Sequence, residues 1–259
     1  MQDLSVTILQ IDQVWEDKQA NFSKYEAVFS KLRQTDLIVL PEMFHTGFSM
    51  NASILAEAWN NSEGLTFLLN WSKKLKSAFY TSLIIKDDNC FHNRGVFVFP
   101  EGRVEYYDKR KSFGLGGEDR FFTAGIEEKI VEYKGWKINL QICYDLRFPE
   151  LIRNRLYNSE EPAYDLLIYV ANWPAKRILH WDALLKARAI ENQCYVVGVN
   201  RVGVDGNGLF YSGNSQIIDA LGDKLTPVRL DSEAILTENL SKIRLHETRK
   251  NLPFLKDIG

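Results

Sequence analysis

The stretch Leu37-Ile38-Val39-Leu40-Pro41-Glu42 carries the pattern on which the fold prediction depends: four apolar residues in a row, then a proline and a carboxylate. A short apolar run of this kind is typical of a buried strand. Residues 18–32, just before it, repeat apolar side chains at helical spacing, and residues 4–11 form another short apolar run. The order strand, helix, strand predicts an α/β fold.

The alternation continues on both sides of a strand-rich middle. Between residues 93 and 143, and again up to about 235, apolar runs separated by turn residues predict hairpins. No linker or repeat interrupts the chain, so residues 1–259 are predicted to form a single domain, in which the tail 241–259 is either a docked arm or a frayed end. The other predicted elements are a helix at 64–79, a strand at 80–85, a short helix at 149–156, a strand at 166–171, a helix at 179–192 and a strand at 195–200.

Composition excludes several classes of protein. With 259 residues, of which 45% are hydrophobic, the chain can bury a sizeable core and is not predicted to be disordered. Its 32 basic and 34 acidic residues give a net charge of −2, so neither nucleic acid nor a membrane is an expected partner. Three cysteines are too few for a disulfide framework, and no export signal or membrane-spanning run is visible. A cytoplasmic protein is expected.

Four of the apolar runs end abruptly in polar or reactive side chains, which are Glu42, Cys143, Asn172 and Asn200. Open α/β sheets bind ligands beyond the carboxyl ends of their strands, so these side chains are expected on one rim. A polar residue that ends a single strand is as often only a turn. The four together indicate a site.

Cys143 has the setting of a nucleophile. It follows a buried-strand pattern, and Pro149 with Glu150 predicts a helix start soon after it. A helix N-terminus favours a thiolate, and by analogy with nucleophile elbows the N–H of Tyr144 would face an oxyanion. Cys90 and Cys194 lack this setting and are predicted to be small buried side chains.

A cysteine nucleophile needs a base, and the residues leave two kinds open. His45 or His180 would give a Cys-His pair, whereas Glu42 at the end of its apolar run would give a buried carboxylate base. The run Lys109-Arg110-Lys111 is either a solvated charged face or the source of a lysine that stabilises an oxyanion in a dry site.

Three motifs carry a family resemblance: Leu40-Pro41-Glu42, Tyr107-Asp108-Lys109 and Gln141-Ile142-Cys143-Tyr144-Asp145-Leu146-Arg147-Phe148-Pro149-Glu150. In this order and spacing they resemble the signatures of the nitrilase superfamily of carbon–nitrogen hydrolases. Within it the chain most resembles the omega-amidase branch, through Pro41-Glu42-Met43-Phe44, Ala171-Asn172-Trp173-Pro174 and residues 200–208.

The resemblance implies an α/β fold of the four-layer α-β-β-α sandwich type, commonly paired into a homodimer or higher homo-oligomer. It implies a catalytic triad of Glu42, Lys109 and Cys143, oxyanion binding by the backbone of Tyr144, and no metal or organic cofactor. Glu118 matches a further family carboxylate that supports the lysine, with Asp119 as its neighbouring competitor. Lys111 is a departure, because many relatives have histidine there, which leaves the conformation of the loop 111–120 open.

For the omega-amidase branch the expected substrate is a short α-keto acid amide that ends in a carboxylate. Such a ligand needs a cation at one end and apolar walls between. Arg147 would bind the carboxylate or brace the corner through Asp145 or Glu150. The other candidate substrate-binding residues are Lys176 and Arg177 as cations and Trp173, Phe48 and Phe113 as walls. An N-carbamoyl amidase of the same superfamily and a non-catalytic binding subunit are the alternatives.

Overall fold

A seven-stranded mixed sheet forms one half of the molecule. In the computed structural model, which describes residues 2–156 and 161–258, its strands run in the order β14-β1-β2-β4-β5-β6, and β3 pairs with β4. Strands β1, β2 and β4 are parallel, and the remaining neighbours on the main path are antiparallel. The strands are β1 (Leu4–Gln10), β2 (Leu37–Val39), β3 (Glu57–Ala58), β4 (Ala78–Asp87), β5 (Cys90–Val98), β6 (Val104–Asp108) and β14 (Ala234–Leu240).

A five-stranded sheet forms the other half, in the order β13-β10-β9-β8-β7. Its three central strands are parallel and its two edge strands are antiparallel to them. These strands are β7 (Ile130–Tyr133), β8 (Trp136–Ile142), β9 (Leu166–Ala171), β10 (Tyr195–Asn200) and β13 (Gln216–Ile218); a separate hairpin pairs β11 (Val202–Val204) with β12 (Phe210–Ser212).

The two sheets pack face to face, and helices cover their outer faces. Leu37 and Val39 of β2 belong to the core between the sheets, whereas Ile38 between them packs under the helices on the other face. This alternation follows from the two-residue period of a strand, and both faces are apolar because both are covered. The resulting four-layer α-β-β-α sandwich confirms the predicted fold class. The helices are α1 (Lys18–Phe29), α2 (Ala52–Leu55), α3 (Glu63–Leu75), α4 (Ile178–Asn192) and α5 (Lys242–Asn251).

Helix α4 approaches the second sheet closely because β10 has a glycine beneath it. A Cβ atom at Gly198 would lie 2.4 Å from Leu185 and 2.9 Å from Trp181, both on α4. The absent side chain therefore sets the distance between this helix and the strands that lead to the site.

Most predicted elements are present within a few residues of the expected bounds, but the helix expected at 149–156 is not. Only short 3-10 turns, Cys143–Arg147 and Pro149–Leu151, follow β8, and Leu156 instead bridges to Pro162. Phe148 breaks the turn with an extended backbone before the proline. Cys90, predicted to be buried, is exposed at the turn between β4 and β5, whereas Cys194 is buried as expected.

The tail forms helix α5 and lies against the rest of the chain over the described residues. Arg249 donates to Asp165 Oδ1 (2.8 Å) and to the carbonyls of Tyr164 and Gln193. Gln193 in turn donates to the carbonyl of Leu252. These contacts connect α5 and the residue after it to the segment before β9 and to the end of α4.

Candidate active site

The four strand ends singled out in the sequence lie together, and hydrogen bonds join them across the two sheets. The N–H of Asn172, after β9, donates to Glu42 Oε2 (2.9 Å), and its side-chain amide donates to the carbonyl of Glu42 (2.7 Å). Cys143 Sγ, after β8, lies 4.0 Å from the carbonyl oxygen of Asn172. Asn200 accepts from the N–H of Trp173 (2.7 Å) and donates to its carbonyl (2.9 Å). The rim therefore has a fixed geometry.

Lys109 lies between two buried carboxylates. It directly follows β6, and its Nζ is 3.1 Å from Glu42 Oε1 and 3.0 and 2.9 Å from the two oxygens of Glu118. All three residues are at most 3% exposed. Burial lowers the pKa of Lys109, but the charges of Glu118 and Glu42 outweigh it and hold that pKa above its ordinary value, so the amine is an ammonium. Asp119, the competitor of Glu118, is exposed.

Asn93 of β5, which sequence reasoning missed, links the same two carboxylates. Its Nδ2 lies 2.7 Å from Glu42 Oε1 and 3.1 Å from Glu118 Oε1, and its carbonyl accepts from the N–H of Lys109 (3.0 Å). An asparagine inside a predicted hairpin carries no sequence signal for this role, because pairing of β5 with β6 brings it there.

Cys143 lies on a strained turn. Its φ of 46° is in the left-handed region, between the extended end of β8 and the 3-10 turn. Since no α-helix begins here, the helix dipole invoked in the sequence prediction is absent. Burial raises the pKa of the Cys143 thiol, Glu42 raises it further, and Lys109 only partly opposes this. The resting thiol is therefore neutral and needs a base.

Asp145 is a second residue whose role the sequence did not reveal. It is buried and accepts from the N–H of Ile142 (3.1 Å), the hydroxyl of Tyr107 (2.8 Å) and the N–H of Lys111 (2.9 Å). These bonds tie the turn at Cys143 to the segment that carries Lys109. One carboxylate, that of Asp145, therefore fixes the turn of the nucleophile relative to the segment that carries the ammonium.

A cavity of about 110 Å³ opens in front of Cys143. Among the predicted substrate-binding residues, Lys176 is exposed and does not line it. The predicted residues that do line it are Phe48, Phe113, Tyr144, Arg147, Trp173 and Arg177.

The two arginines of the cavity are held by aromatic rings. The guanidinium of Arg147 lies 4.7 Å from the Trp173 ring centre and donates to His180 Nδ1 (3.2 Å), while that of Arg177 lies 5.3 Å from the Phe113 ring centre. Over residues 2–156 and 161–258, no carboxylate forms an ion pair with either arginine. Arg147 thus does not brace the corner through Asp145 or Glu150, and both cations remain available to a ligand.

The remaining wall of the cavity was not predicted. Asp205 accepts from the N–H groups of Asn207 and Leu209 and from the hydroxyl of Tyr211 (2.9 Å), and all four residues line the cavity. The similarity of residues 200–208 to the omega-amidase branch singled out this loop in the sequence. It did not predict that the loop lines the cavity.

Neither histidine of the Cys-His alternative lines the cavity. His45 is fully buried and bonded to Glu57 (2.9 Å), and burial lowers its pKa. His180 is exposed and bonded to Arg147. The bases whose charges act on the Cys143 thiol are the carboxylates Glu42 and Glu118, and no imidazole is among them.

The described part of the chain lacks two kinds of feature. None of its helices has the length and apolar character needed to cross a lipid bilayer. Within that same part, no group of three or more histidine, cysteine or acidic side chains is arranged to hold a metal ion.

Comparison with known proteins gives a consistent result. The family model for carbon–nitrogen hydrolases matches residues 5–250. The chain is 44% identical to omega-amidase YafV of Yersinia enterocolitica, over 99% of this chain and 97% of that one, and 36% identical to the 2-oxoglutaramate amidase of Paenarthrobacter nicotinovorans, over 91% and 82%.

A solved structure is similarly close. The crystal structure of XC1258 from Xanthomonas campestris, described as a CN-hydrolase superfamily protein with an arsenic adduct in its active site, superposes with a TM-score of 0.96 at 40% identity. The superposition covers 100% of this chain and 98% of that one. On these grounds the chain belongs to the carbon–nitrogen hydrolase family, and it is a hydrolase of carbon–nitrogen bonds.

Proposed function

We propose that the protein is an omega-amidase, which releases ammonia from short carboxylate-bearing amides of the 2-oxoglutaramate or 2-oxosuccinamate type. Two relatives support this: an omega-amidase at 44% identity and a 2-oxoglutaramate amidase at 36% identity. The observation that carries the proposal is that Arg147 and Arg177, without carboxylate partners among the described residues, line the same small cavity as Cys143. A substrate with a carboxylate at one end and an amide at the other matches this arrangement of charge.

The first half of the reaction forms a thioester. Cys143 Sγ attacks the amide carbon as its proton passes to Glu42, and the C–N bond then breaks as Glu42 gives that proton to the departing nitrogen. The products of this half are ammonia and an acyl group on sulfur. Because burial and the Glu42 charge raise the pKa of the thiol, the sulfur needs Glu42 to accept its proton.

The tetrahedral oxyanion is stabilised by Lys109 and by the N–H of Tyr144. Lys109 makes two of its three contacts to the same carboxylate, that of Glu118. One N–H can bridge both oxygens of Glu118 and a second can contact Glu42, so the third can bind the oxyanion without breaking a contact to Glu118.

The second half hydrolyses the thioester. Water enters the space that ammonia leaves, Glu42 accepts one of its protons, and the hydroxide oxygen attacks the acyl carbon. Collapse of the intermediate returns the proton to sulfur and releases the dicarboxylate.

The far end of the substrate lies between the arginines and the aromatic walls. Phe48, Phe113 and Trp173 would pack against the short carbon chain while a guanidinium binds the carboxylate, in bidentate fashion for either arginine. The cavity is small, which favours a chain of few carbons.

The test is ammonia release from a panel of amides. We expect turnover of 2-oxoglutaramate that is lost in Cys143→Ala. In Arg177→Met, kcat/KM for carboxylate-bearing amides should fall about 10- to 100-fold, because a hydrogen bond between charged groups is lost. For a neutral amide of similar length kcat/KM should change little. Lys176→Met, next to it but outside the cavity, should leave both unchanged.

Three results would contradict the proposal. Turnover of 3-ureidopropionate or N-carbamoylputrescine without turnover of 2-oxoglutaramate would indicate an N-carbamoyl amidase. Absence of any turnover, with Cys143 labelled only after denaturation, would indicate a non-catalytic binding subunit. An equal loss for charged and neutral amides in Arg177→Met would remove the role given to that arginine.

The homodimer or higher homo-oligomer and the cytoplasmic location expected from the sequence remain predictions. Light scattering of the purified protein would measure the mass of the assembly against the chain mass of 29.9 kDa. Fractionation of cells that produce it would report the compartment.

A further inference from the structure

The two carboxylates that hold Lys109 differ in how many hydrogen-bond positions remain open. A carboxylate has about four such positions, two on each oxygen. Glu118 has all four occupied: Oε1 by Lys109 (3.0 Å) and Asn93 (3.1 Å), and Oε2 by Lys109 (2.9 Å) and the N–H of Phe113 (2.6 Å). A proton cannot bind to Glu118 unless one of these bonds is first broken.

Glu42 has three of its four positions occupied. Oε1 accepts from Asn93 (2.7 Å) and from Lys109 (3.1 Å), whereas the one described donor to Oε2 is the N–H of Asn172 (2.9 Å). The one open position is therefore on Oε2. Its donor, Asn172, is also the residue whose carbonyl oxygen lies 4.0 Å from Cys143 Sγ, and the charge of Glu42 acts on that thiol.

Asn93 closes one position on each carboxylate. Both groups only accept hydrogen bonds, so the nitrogen of the amide must face them, and its two N–H groups are divided between Glu42 and Glu118. The side chain is 2% exposed and does not line the cavity, so it does not touch a substrate. Its Oδ1 has no partner among the described residues, which means that the two donated bonds are what hold the side chain in place.

We propose that Asn93 is a positioning residue that confines proton exchange to Oε2 of Glu42, and so makes Glu42 the acid-base group and Glu118 a fixed anion. This rests on the proposed amidase reaction. In it the S–H bond of Cys143 breaks, its proton bonds to Oε2 and the sulfur electron pair forms the S–C bond. The proton on Oε2 then bonds to the amide nitrogen as the C–N bond breaks, so that NH₃ leaves and no other reactant is needed.

The test compares Asn93→Ser with Asn139→Ser. Asn139 is a fully buried strand asparagine that donates to Glu128, away from the two carboxylates, and so controls for the loss of a buried amide. We expect kcat of Asn93→Ser to fall about 10- to 100-fold, since hydrogen bonds to charged groups are lost, with KM nearly unchanged. The acidic limb of the pH profile of kcat/KM should move to higher pH, because two hydrogen bonds that the site donates to its carboxylates are lost.

Asn93→Asp serves as a second variant if the serine variant unfolds. It keeps the shape of the side chain but places an acceptor against two carboxylates, so activity should fall further, with an acidic limb at still higher pH. Asn139→Ser is expected to keep the wild-type limb. A fall in kcat of less than twofold in Asn93→Ser, or a larger fall with an unmoved limb, would overturn the proposal.

One measurement does not depend on turnover. The infrared absorption of protonated carboxyl groups, assigned to Glu42 by its loss in Glu42→Gln, reports where on the pH scale Glu42 takes up a proton in the resting protein. The pH at which this absorption appears should be higher in Asn93→Ser than in the wild type, and unchanged in Asn139→Ser. The kinetic assays use whichever amide the wild-type protein hydrolyses. If 2-oxoglutaramate is not hydrolysed but another amide is, the omega-amidase assignment is refuted. The role of Asn93 is then still tested by kcat and the pH profile measured with that other amide.

Discussion

At the scale of single residues, the site places a thiol of raised pKa beside buried carboxyl groups and an ammonium. Sequence reasoning expected a thiolate favoured by a helix N-terminus, whereas the structure has only a short 3-10 turn after Cys143. Lys109 does favour the thiolate, but burial and the charge of Glu42 outweigh it. The balance between the lysine and the carboxylates therefore controls the reactivity of the sulfur.

We expect Glu42→Gln to shift alkylation of Cys143 by iodoacetamide to lower pH. Glu42 raises the pKa of the thiol, so removing its charge increases the thiolate fraction at neutral pH even though amide hydrolysis is lost. Glu118→Gln should shift it in the same direction by less, because Glu118 contributes less to that pKa.

The rate is followed by mass spectrometry of the peptide that contains Cys143, since the exposed Cys90 also reacts. Replacing Cys90 by serine removes the exposed thiol, so that the measured alkylation is not that of Cys90. Slower alkylation of Glu42→Gln at every pH would contradict the electrostatic account of the thiol.

At the scale of elements, helix α5 is attached through a buried aspartate. Asp165 precedes β9 and interacts with Lys242 and Arg249, which lie at opposite ends of α5. Burial raises the pKa of Asp165, but the two cations and the N–H of Lys137 outweigh it and hold that pKa below its ordinary value. A group of this kind stabilises the fold above its unfolded pKa, and the contribution is lost as the pH falls through the folded one.

We expect Arg249→Met to lower the free energy of unfolding by about 1–3 kcal/mol at neutral pH, because it leaves Asp165 short of a partner and removes the donor to the Gln193 carbonyl. The Tyr164 carbonyl keeps Asn154 as a donor. The difference from wild type should shrink in acid, where Asp165 becomes protonated. Urea unfolding at neutral pH and at a pH below the ordinary range of aspartate measures both. Lys250→Met, next in sequence and exposed, is the matched control and should change little. An Arg249→Met effect that does not depend on pH would contradict the role of Asp165.

At the scale of the whole molecule, the two sheets fit because a large and a small residue meet between them. The hydroxyl of Tyr80 donates to the carbonyl of Gln141 (3.1 Å), one strand residue before the turn that holds Cys143. Gly95 lies beside it, and a Cβ there would be 2.8 Å from the Tyr80 hydroxyl and 3.3 Å from Ile142. The close packing of Tyr80 on Gly95 therefore sets the distance between the two sheets at the strand that leads to Cys143.

We expect Gly95→Ala to destabilise the protein by about 1–3 kcal/mol, since the added methyl group cannot be accommodated without moving Tyr80 or Ile142. In a Tyr80→Phe background the cost should be smaller, because the atom in closest contact is gone. Thermal or urea unfolding of the two single variants and the double variant gives the coupling energy. Additive effects of the two substitutions would show that the hydroxyl is not what limits the space.

The sequence by itself determined an α/β fold, because buried strands and helices are local patterns. The resemblance of three motifs to the carbon–nitrogen hydrolases implied the four-layer sandwich and the residues Glu42, Lys109 and Cys143. Only the tertiary structure decided how these groups are partnered. Asn93 and Asp145 are brought to the site by strand pairing and by a turn, Lys176 is excluded from the cavity while Arg177 lines it, and the helix expected after Cys143 is replaced by short turns. Such contacts join residues far apart in the chain, and a pattern read along the chain carries no information on which atoms meet across two sheets.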